Sequence, residues 1–287
     1  MANHYKSLKL KLINAGYDKL DHNWNFDNVI SPFTRLYLIT SGEAFVYHHN
    51  KKFHLLPGYL YLIPSFVYSS YKCDLKHEQY YVSFFEELGS GLSIYNFVNF
   101  NYEVKATCLD AICFERLLTI NPNRGLINND PKYYDNHRTM VAFEKRNIDL
   151  TASNYLETHG ILKVLLSKFI DANQTVEKSS NSNLDKVLSY ISENLNNNLN
   201  IKLLAEYCSM NKDHFSRSFK NKFGISPSKY IQNMRIERAM LLLITTDFSL
   251  KDIVMKIGYE NYSHFLRTFK EQVGKTPKEF KKEHFVV

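Results

Sequence analysis

The sequence contains no apolar run long enough to cross a membrane and very little cysteine. No segment approaches the roughly 18 apolar residues of a membrane span, and the first residues show neither an apolar run nor a small-residue cleavage pattern. The four cysteines have no CxxC spacing and are too sparse for a disulfide scaffold. These absences predict a cytoplasmic protein without a membrane segment or a secretory signal, whose thiols stay reduced in the core.

Recognisable catalytic arrangements are missing as well. No Ser/His/Asp set and no pair of carboxylates has a spacing that stands out from chance. We therefore expect no catalytic residues, no cofactor and no enzyme activity, so that a binding function becomes the first hypothesis.

Positive charge is concentrated in the C-terminal part of the chain. The chain has 287 residues and a net charge of +7, and its length suggests about two domains. Residues 183–287 hold 17 basic and 11 acidic side chains, whereas residues 1–182 hold 19 and 18. A basic region beside a nearly neutral one is typical of a polyanion-binding domain joined to a domain with another role.

Short strand patterns fill the region from Pro32 to about Phe85. Aromatic and β-branched runs alternate there with turn signals such as Pro57-Gly58 and Pro64-Ser65. Strands this short need a second sheet or barrel closure to bury both of their apolar faces. We therefore predict a small antiparallel β-sandwich or barrel.

Helical spacing follows the strands. Apolar residues three and four apart predict a helix over about 152–172, which either packs on a second copy of the chain or caps the sheet of its own chain. Residues 173–183 are rich in Ser and Asn and hold almost nothing to bury, so they are predicted to be an interdomain linker.

The region after the linker repeats itself. HFSRSFKNKFGISP at residues 214–227 returns as HFLRTFKEQVGKTP at residues 264–277, which indicates one structural unit used twice. Helix-capping signals occur at equivalent places in both copies: Asn211, Gly224 and Ser226-Pro227 in the first, Asn261, Gly274 and Thr276-Pro277 in the second. The pattern predicts an all-α domain with two helix-turn-helix motifs, whose second helices span about 211–222 and 261–272.

Each of these second helices is predicted to have a buried aromatic edge and an exposed edge. Phe215 and Phe219 share one side of the first helix, as Phe265 and Phe269 do in the second. The opposite side carries Asp213, Ser216, Arg217 and Lys220 in the first copy, and Ser263, Leu266, Arg267 and Lys270 in the second.

The exposed edges have the residue types that bind DNA. The major groove of B-DNA admits one α-helix, and a guanidinium can bind guanine through two hydrogen bonds. We therefore predict base or phosphate contacts for Arg217 and Arg267 and phosphate contacts for Lys220 and Lys270. Because the copies differ elsewhere on these edges, the two helices should read different bases. Leu266 either contacts a thymine methyl group or is an ordinary surface leucine.

Three stretches carry a resemblance to a known family. They are LAEYCSMNKDHFSRSFKNKFGISPSKYI, the linking segment MRIERAMLLL, and IVMKIGYENYSHFLRTFKEQVGKTPKEFK. They resemble the DNA-binding region of the AraC/XylS family of bacterial transcription regulators, in which a long helix joins two helix-turn-helix motifs. The resemblance implies double-stranded operator DNA and RNA polymerase as partners. It also implies these recognition positions: Lys212, Asp213, Ser216, Arg217, Tyr262, Ser263, Leu266 and Arg267.

The strand region, from SPFTRLYLITSGEAF to LIPSFVYSSY, resembles the cupin-like effector domain of the same family. The resemblance implies a cupin-like barrel that binds a small-molecule effector, a sugar or an aromatic compound, near Trp24, Thr40, Tyr71 and Phe84. Cupin enzymes hold a metal between histidines that converge from adjacent strands. Here His48 and His49 are neighbours and, in a strand, are expected to point to opposite faces, so we predict no metal site.

The fold class expected from these patterns is a two-domain α+β protein. An N-terminal effector and dimerisation domain over 1–172 is followed by the linker at 173–183 and by a DNA-binding domain over 184–287. The preferred function is a transcription regulator, for instance an activator, that responds to a small molecule and dimerises through the helix over 152–172. The alternatives are a constitutive regulator without an effector and a cupin enzyme with a DNA-binding tail.

Overall fold

The computed structural model of the chain describes residues 8–87, 93–96, 98, 100–135, 137–170 and 183–284. Two antiparallel sheets form the N-terminal domain, one with the order β1-β8-β3-β6-β9 and one with the order β2-β7-β4-β5. The strands are β1 (Lys9–Asp21), β2 (Phe26–Val29), β3 (Thr34–Gly42), β4 (Ala44–His48), β5 (Lys51–Leu55), β6 (Tyr59–Ile63), β7 (Ser69–Lys72), β8 (Lys76–Glu87) and β9 (Glu103–Lys105).

The five-stranded sheet is buried on both faces, which explains the continuous apolar run in β3. Alternate residues of a strand point to opposite faces. Tyr37 and Ile39 therefore pack between the two sheets, whereas Leu36 and Leu38 pack against helices on the outer face. The predicted β-sandwich with flanking helices is confirmed.

Four helices follow the strands: α1 (Cys108–Ile120), α2 (Pro131–Tyr134), α3 (His137–Ile148) and α4 (Ala152–Ser167). The last begins where the sequence predicted, with the Thr151 hydroxyl accepting a hydrogen bond from the backbone N–H of Asn154. Its side chains Leu162 and Leu166 are buried against the five-stranded sheet. One side of α4 thus caps the sheet of its own chain, which was one of the two alternatives.

The remaining predictions about the middle of the chain are only partly covered by the described residues. Residues 171–182, which include most of the predicted linker, lie outside them. Three of the four cysteines are buried as expected, but Cys108 is exposed at the first residue of α1. None of the described helices is long and apolar enough to cross a membrane.

Helices alone make up the described part of the C-terminal domain. They are α5 (Asn183–Glu193), α6 (Ile201–Tyr207), α7 (Lys212–Phe223), α8 (Pro227–Thr245), α9 (Leu250–Lys256), α10 (Tyr262–Val273) and α11 (Pro277–His284). Helices α6 and α7 form the first helix-turn-helix motif, α9 and α10 form the second, and α8 joins them. The predicted all-α domain is confirmed.

The caps that the sequence predicted are present in both copies. The Asn211 side chain accepts from the backbone N–H of His214 at 2.8 Å, and Asn261 does the same for His264 at 2.9 Å. Gly224 and Gly274 end the two helices in the left-handed conformation, with φ of 78° and 74°, which glycine adopts without steric cost.

The two motifs have separate cores, and the second core extends into the N-terminal domain. Phe215 and Phe219 are buried in the first core, to which the N-terminal half of α8 contributes Tyr230, Ile231 and Met234. The second core contains Phe265 and Phe269 and continues into side chains of the β domain and its helices, namely Ile13, Ile30, Phe33, Tyr134, Met140 and Phe143. The Tyr68 hydroxyl also donates to the carbonyl of Val273, at the end of α10. The second motif is therefore the part of the domain that is packed on the N-terminal domain.

Candidate nucleic-acid interface

Helix α7 presents the predicted edge to solvent. Four of its five predicted contact residues are exposed: Lys212, Asp213, Arg217 and Lys220. The fifth, Ser216, is partly buried and its hydroxyl donates to the carbonyl of Lys212 at 2.8 Å. Within the described part of the chain, Arg217 makes one long contact, 3.4 Å from its Nε to the Asp213 carbonyl, so its guanidinium is available to a ligand outside the protein.

Helix α10 repeats this arrangement with one difference. Its exposed predicted residues are Tyr262, Ser263, Arg267 and Lys270. Arg267 lies 3.8 Å from the carboxylate of Glu271, and both side chains are largely exposed, so the ion pair stabilises the helix little. Leu266 is partly buried and packs against the second core. The prediction that Leu266 lies on the exposed edge is therefore confirmed only in part, because its side chain lies between that edge and the second core.

Two exposed histidines lie beside these residues and were not predicted. His214 and His264 occupy the third position of α7 and α10, in the helical turn where the other candidate contacts begin. Both rings are exposed. The signal that identifies them is the repeat itself, since the two histidines recur at equivalent positions.

The spacing of the two motifs is fixed by a contact that local patterns did not reveal. Arg235 of α8 donates from Nε to the carbonyl of Leu195 at 3.2 Å and from Nη2 to the carbonyl of Asn197 at 2.8 Å. Its guanidinium also lies 5.6 Å from the ring centre of Tyr259, in the turn of the second motif. Arg235 thus connects the segment before the first motif to the turn of the second.

Comparison with known proteins agrees with this geometry. Residues 204–283 match a family described as a helix-turn-helix domain. An uncharacterized HTH-type transcriptional regulator of Haemophilus influenzae is 24% identical over 261 residues, which cover 86% of this chain and 85% of that protein. The C-terminal domain is therefore similar to the helix-turn-helix domains of transcription regulators, and the similarity to one such regulator extends over most of the chain.

Two further relatives match part of the chain. The arabinose operon regulatory protein of Escherichia coli is 28% identical over 139 residues, 48% of this chain and 46% of that protein. The bifunctional transcriptional activator/DNA repair enzyme AdaA of Bacillus subtilis is 34% identical over 108 residues, 37% of this chain and 51% of that protein. The chain thus spans about half the length of these two relatives. Regulation of transcription is what the names of all three relatives share.

The four predicted effector residues do not line one pocket. Trp24 and Tyr71 are buried together between the sheets, with ring centres 4.8 Å apart. Phe84 lies on the other face of the five-stranded sheet, among the helices, and Thr40 is at the exposed end of β3. An aromatic residue in a short strand packs into the core on the side of the sheet to which it points. The aromatic side chains among these four residues therefore do not all lie in the same core.

The space between the sheets is small and polar. A cavity of about 20 Å³ lies beside Trp24, Arg35 and Tyr134, which is room for about one water molecule. The Arg35 guanidinium is buried and donates to the hydroxyls of Tyr71 and Ser69.

The expectation that His48 and His49 point to opposite faces is wrong. Strand β4 ends at His48, and His49 has a φ of 50° in the turn that follows, so the alternation of a strand does not apply to it. The two Nδ1 atoms lie 2.9 Å apart. Burial lowers the pKa of His48 to about 3. Among the described residues no group of three or more His, Cys, Asp or Glu side chains is arranged to hold a metal.

A much larger cavity, of about 650 Å³, lies between the two domains. Its walls include Phe66 and Phe85 of the N-terminal domain and Met234 and Leu241 of α8. Its charged residues are Lys9, Lys11, Glu86, Glu193, Glu237, Arg238 and Lys256. Burial, together with the neighbouring carboxylate of Glu86, raises the pKa of Glu237 to about 7.

Replacement of Glu237 by glutamine is expected to stabilise the protein at high pH. The pKa of Glu237 is higher in the folded protein than the ordinary value of 4.5, so its ionisation opposes folding as the pH rises from about 4.5 to above 7. Thermal unfolding should show a larger gain in Tm for Glu237→Gln at pH 8 than at pH 5. Glu193→Gln, at the exposed rim of the same cavity, controls for the loss of one negative charge. An equal gain in Tm at pH 5 and pH 8 would contradict the raised pKa of Glu237.

Proposed function

We propose that the chain regulates transcription by inserting α7 and α10 into successive major grooves of double-stranded operator DNA. The observation that carries the proposal is the duplicated geometry: two helices with the same caps and buried phenylalanines each expose an arginine at the equivalent position, Arg217 and Arg267. Successive major grooves on one face of the duplex are about 34 Å apart. If α8 holds the two helices closer than that, the duplex bends, at a cost of order 1 to 6 kcal/mol.

Different residues have different tasks in this interface. Arg217 and Arg267 contact base edges or phosphates, and Lys220 and Lys270, nearer the helix ends, contact phosphates. The other predicted recognition residues, among them Asp213 and Leu266, distinguish the subsites, because the two helices differ at these places.

Unbiased selection of DNA sequences by the purified protein tests the proposal. The expected result is an asymmetric site with two different subsites whose centres are one helical turn apart, about 10 base pairs. Binding should weaken steeply with added salt because each phosphate contact releases counterions. Enrichment of no sequence over the starting pool would reject sequence-specific binding.

The DNA affinity is proposed to depend on a small molecule. The sequence predicted such an effector inside the β domain. The interdomain cavity of about 650 Å³ supports the effector better than the intersheet cavity of about 20 Å³ does, since small-molecule sites commonly measure 300 to 1,000 Å³, to order of magnitude. A ligand between the domains changes the DNA affinity if it binds one arrangement of the two domains more tightly than another.

A thermal-shift screen with sugars, aromatic acids and amines separates this proposal from its alternative. A ligand in excess raises the Tm because it binds only the folded protein, and it should also change the affinity for the selected operator. A screen without any stabilising compound would favour the constitutive regulator. Contact with RNA polymerase at the promoter remains part of the proposal.

A second copy of the chain is the proposed partner of α4. The side of α4 that does not cap the sheet exposes Tyr155, Leu156 and Val164, and the neighbouring α1 exposes Leu109 and Ile112. Exposed apolar side chains in such number on two packed helices are typical of an interaction surface.

Replacing Leu156, which is 70% exposed, by glutamate is expected to convert the dimer to a monomer. A charge in the centre of an apolar contact loses its hydration without a partner. Light scattering at micromolar concentration measures the change. Ile127→Glu, at an exposed isoleucine outside α1 and α4, is the control and should leave the dimer intact. A wild-type protein that is already monomeric would reject this interface.

A further inference from the structure

Two carboxylates from different domains line the interdomain cavity. Glu86 lies on β8 and accepts hydrogen bonds from the hydroxyls of Ser65 and Ser93, at 3.0 and 2.8 Å, and from the backbone N–H of Ile94 at 3.0 Å. Glu237 lies on α8, and its carboxylate makes no hydrogen bond or ion pair with any residue in the described part of the chain. The cavity therefore contains a partly buried carboxylate, Glu237, whose pKa is raised by burial and by a second carboxylate, Glu86.

The cations around the cavity do not compensate Glu237. Lys9, Lys11, Arg238 and Lys256 are exposed, whereas Glu237 is partly buried and its pKa is raised by burial and by the carboxylate of Glu86. Exposed charges are screened by water and salt, whereas partly buried charges are screened much less. The carboxylates of Glu86 and Glu237 thus determine the sign of the ligand charge that is most stabilised in the cavity, and that sign is positive.

The rest of the wall suits an apolar body. Phe66 and Phe85 approach from the N-terminal domain, and Met234 and Leu241 from α8. An ammonium group between two carboxylates would form charge-assisted hydrogen bonds, and the apolar remainder of the molecule would lie against these side chains.

We propose that the interdomain cavity binds a small amphipathic amine, whose ammonium group donates to Glu86 and Glu237 and whose apolar part packs on Phe66, Phe85 and Leu241. This inference rests on the proposed small-molecule control, because it names the chemical class of the effector. Such a ligand joins β8 of the N-terminal domain to α8, the helix that connects the two DNA-binding motifs. Its binding therefore favours one arrangement of the two domains.

The test compares 4-phenylbutylamine with 4-phenylbutyrate, which has a similar body and the opposite charge, in thermal-shift titrations of the full-length protein at pH 7.5. The amine is expected to raise the Tm in a saturable manner, and the acid is expected to have no effect. Glu237→Gln should weaken the apparent affinity for the amine roughly tenfold or more. Glu103→Gln, at an exposed glutamate of β9 that does not line the cavity, should leave that affinity unchanged.

Stabilisation by the acid and not by the amine would overturn the inference, since the rim cations would then determine the ligand. An effect of the amine that survives Glu237→Gln would overturn it equally, and so would the absence of any effect. Operator affinity, measured in parallel, tests the proposed function separately. An acid that stabilises the protein and changes operator affinity leaves small-molecule control standing, whereas an amine that binds without changing operator affinity supports the site and rejects the control.

Discussion

Gly258→Ala is expected to destabilise the C-terminal domain by about 3 kcal/mol, out of a total of roughly 5 to 15 kcal/mol for a domain. Gly258 has a φ of 77°, and a Cβ atom there would lie 2.4 Å from the carbonyl oxygen of Leu195. The left-handed conformation alone costs an alanine about 1 to 2 kcal/mol. The clash adds a similar amount, because the obstacle is backbone that Arg235 holds in place.

Gly274→Ala separates the two contributions. Gly274 has a similar φ of 74°, but no atom lies within 4 Å of the position of its added Cβ. We expect this variant to lose only the conformational part, about 1 kcal/mol. Chemical unfolding with a tryptophan-independent probe such as circular dichroism measures both. Equal losses in the two variants would show that the approach of Leu195 to the turn of the second motif does not constrain the fold.

The Gly258 variant should also bind DNA poorly even where it remains folded. The substitution pushes apart the segment before the first motif and the turn of the second motif, which changes the relative position of α7 and α10. Both helices then cannot occupy their subsites at once. Gly274→Ala, which leaves this contact intact, should bind the operator normally at temperatures below its Tm.

Arg217→Ala and Arg267→Ala are each expected to weaken binding to the selected operator by about 1 to 3 kcal/mol, roughly tenfold to a hundredfold. Both side chains are exposed, so neither truncation should lower the Tm. Titration of labelled operator at fixed salt measures the affinity. Arg138→Ala, the same chemical change at an exposed site in the N-terminal domain, is the control.

Salt dependence shows what each arginine contacts. Loss of a phosphate contact weakens binding to all sequences and reduces the slope of log affinity against log salt by about one. Loss of a base contact leaves that slope nearly unchanged and relaxes the sequence preference in one subsite. Unchanged operator affinity in both arginine variants would reject α7 and α10 as the recognition helices.

Structure that depends on neighbours along the chain could be predicted from the sequence. The caps at Asn211 and Asn261 and the glycines that end α7 and α10 follow from local hydrogen bonding and backbone sterics. The buried phenylalanines follow from the spacing of a helix. These local rules sufficed for the helix-turn-helix motifs and for the exposure of most of the predicted contact residues on α7 and α10.

Long-range packing is where the same reasoning failed. Trp24 and Phe84 are both aromatic residues of the β region, but they lie on opposite faces of one sheet, and which face each side chain occupies depends on strand register. The pair Glu86 and Glu237 is 151 positions apart in the sequence, and only the docking of the two domains brings both to one cavity. His49 was misplaced for a smaller reason, because the strand ends one residue earlier than the pattern suggests.

The most direct test of the account is a hydroxyl-radical footprint of the wild-type protein and the two arginine variants on the selected operator. Two protected segments are expected on one face of the duplex, with centres about 10 base pairs apart. Arg217→Ala should weaken protection of one segment, and Arg267→Ala should weaken protection of the other. A single protected segment, or the loss of the same segment in both variants, would contradict the claim that the duplicated helices bind two successive grooves.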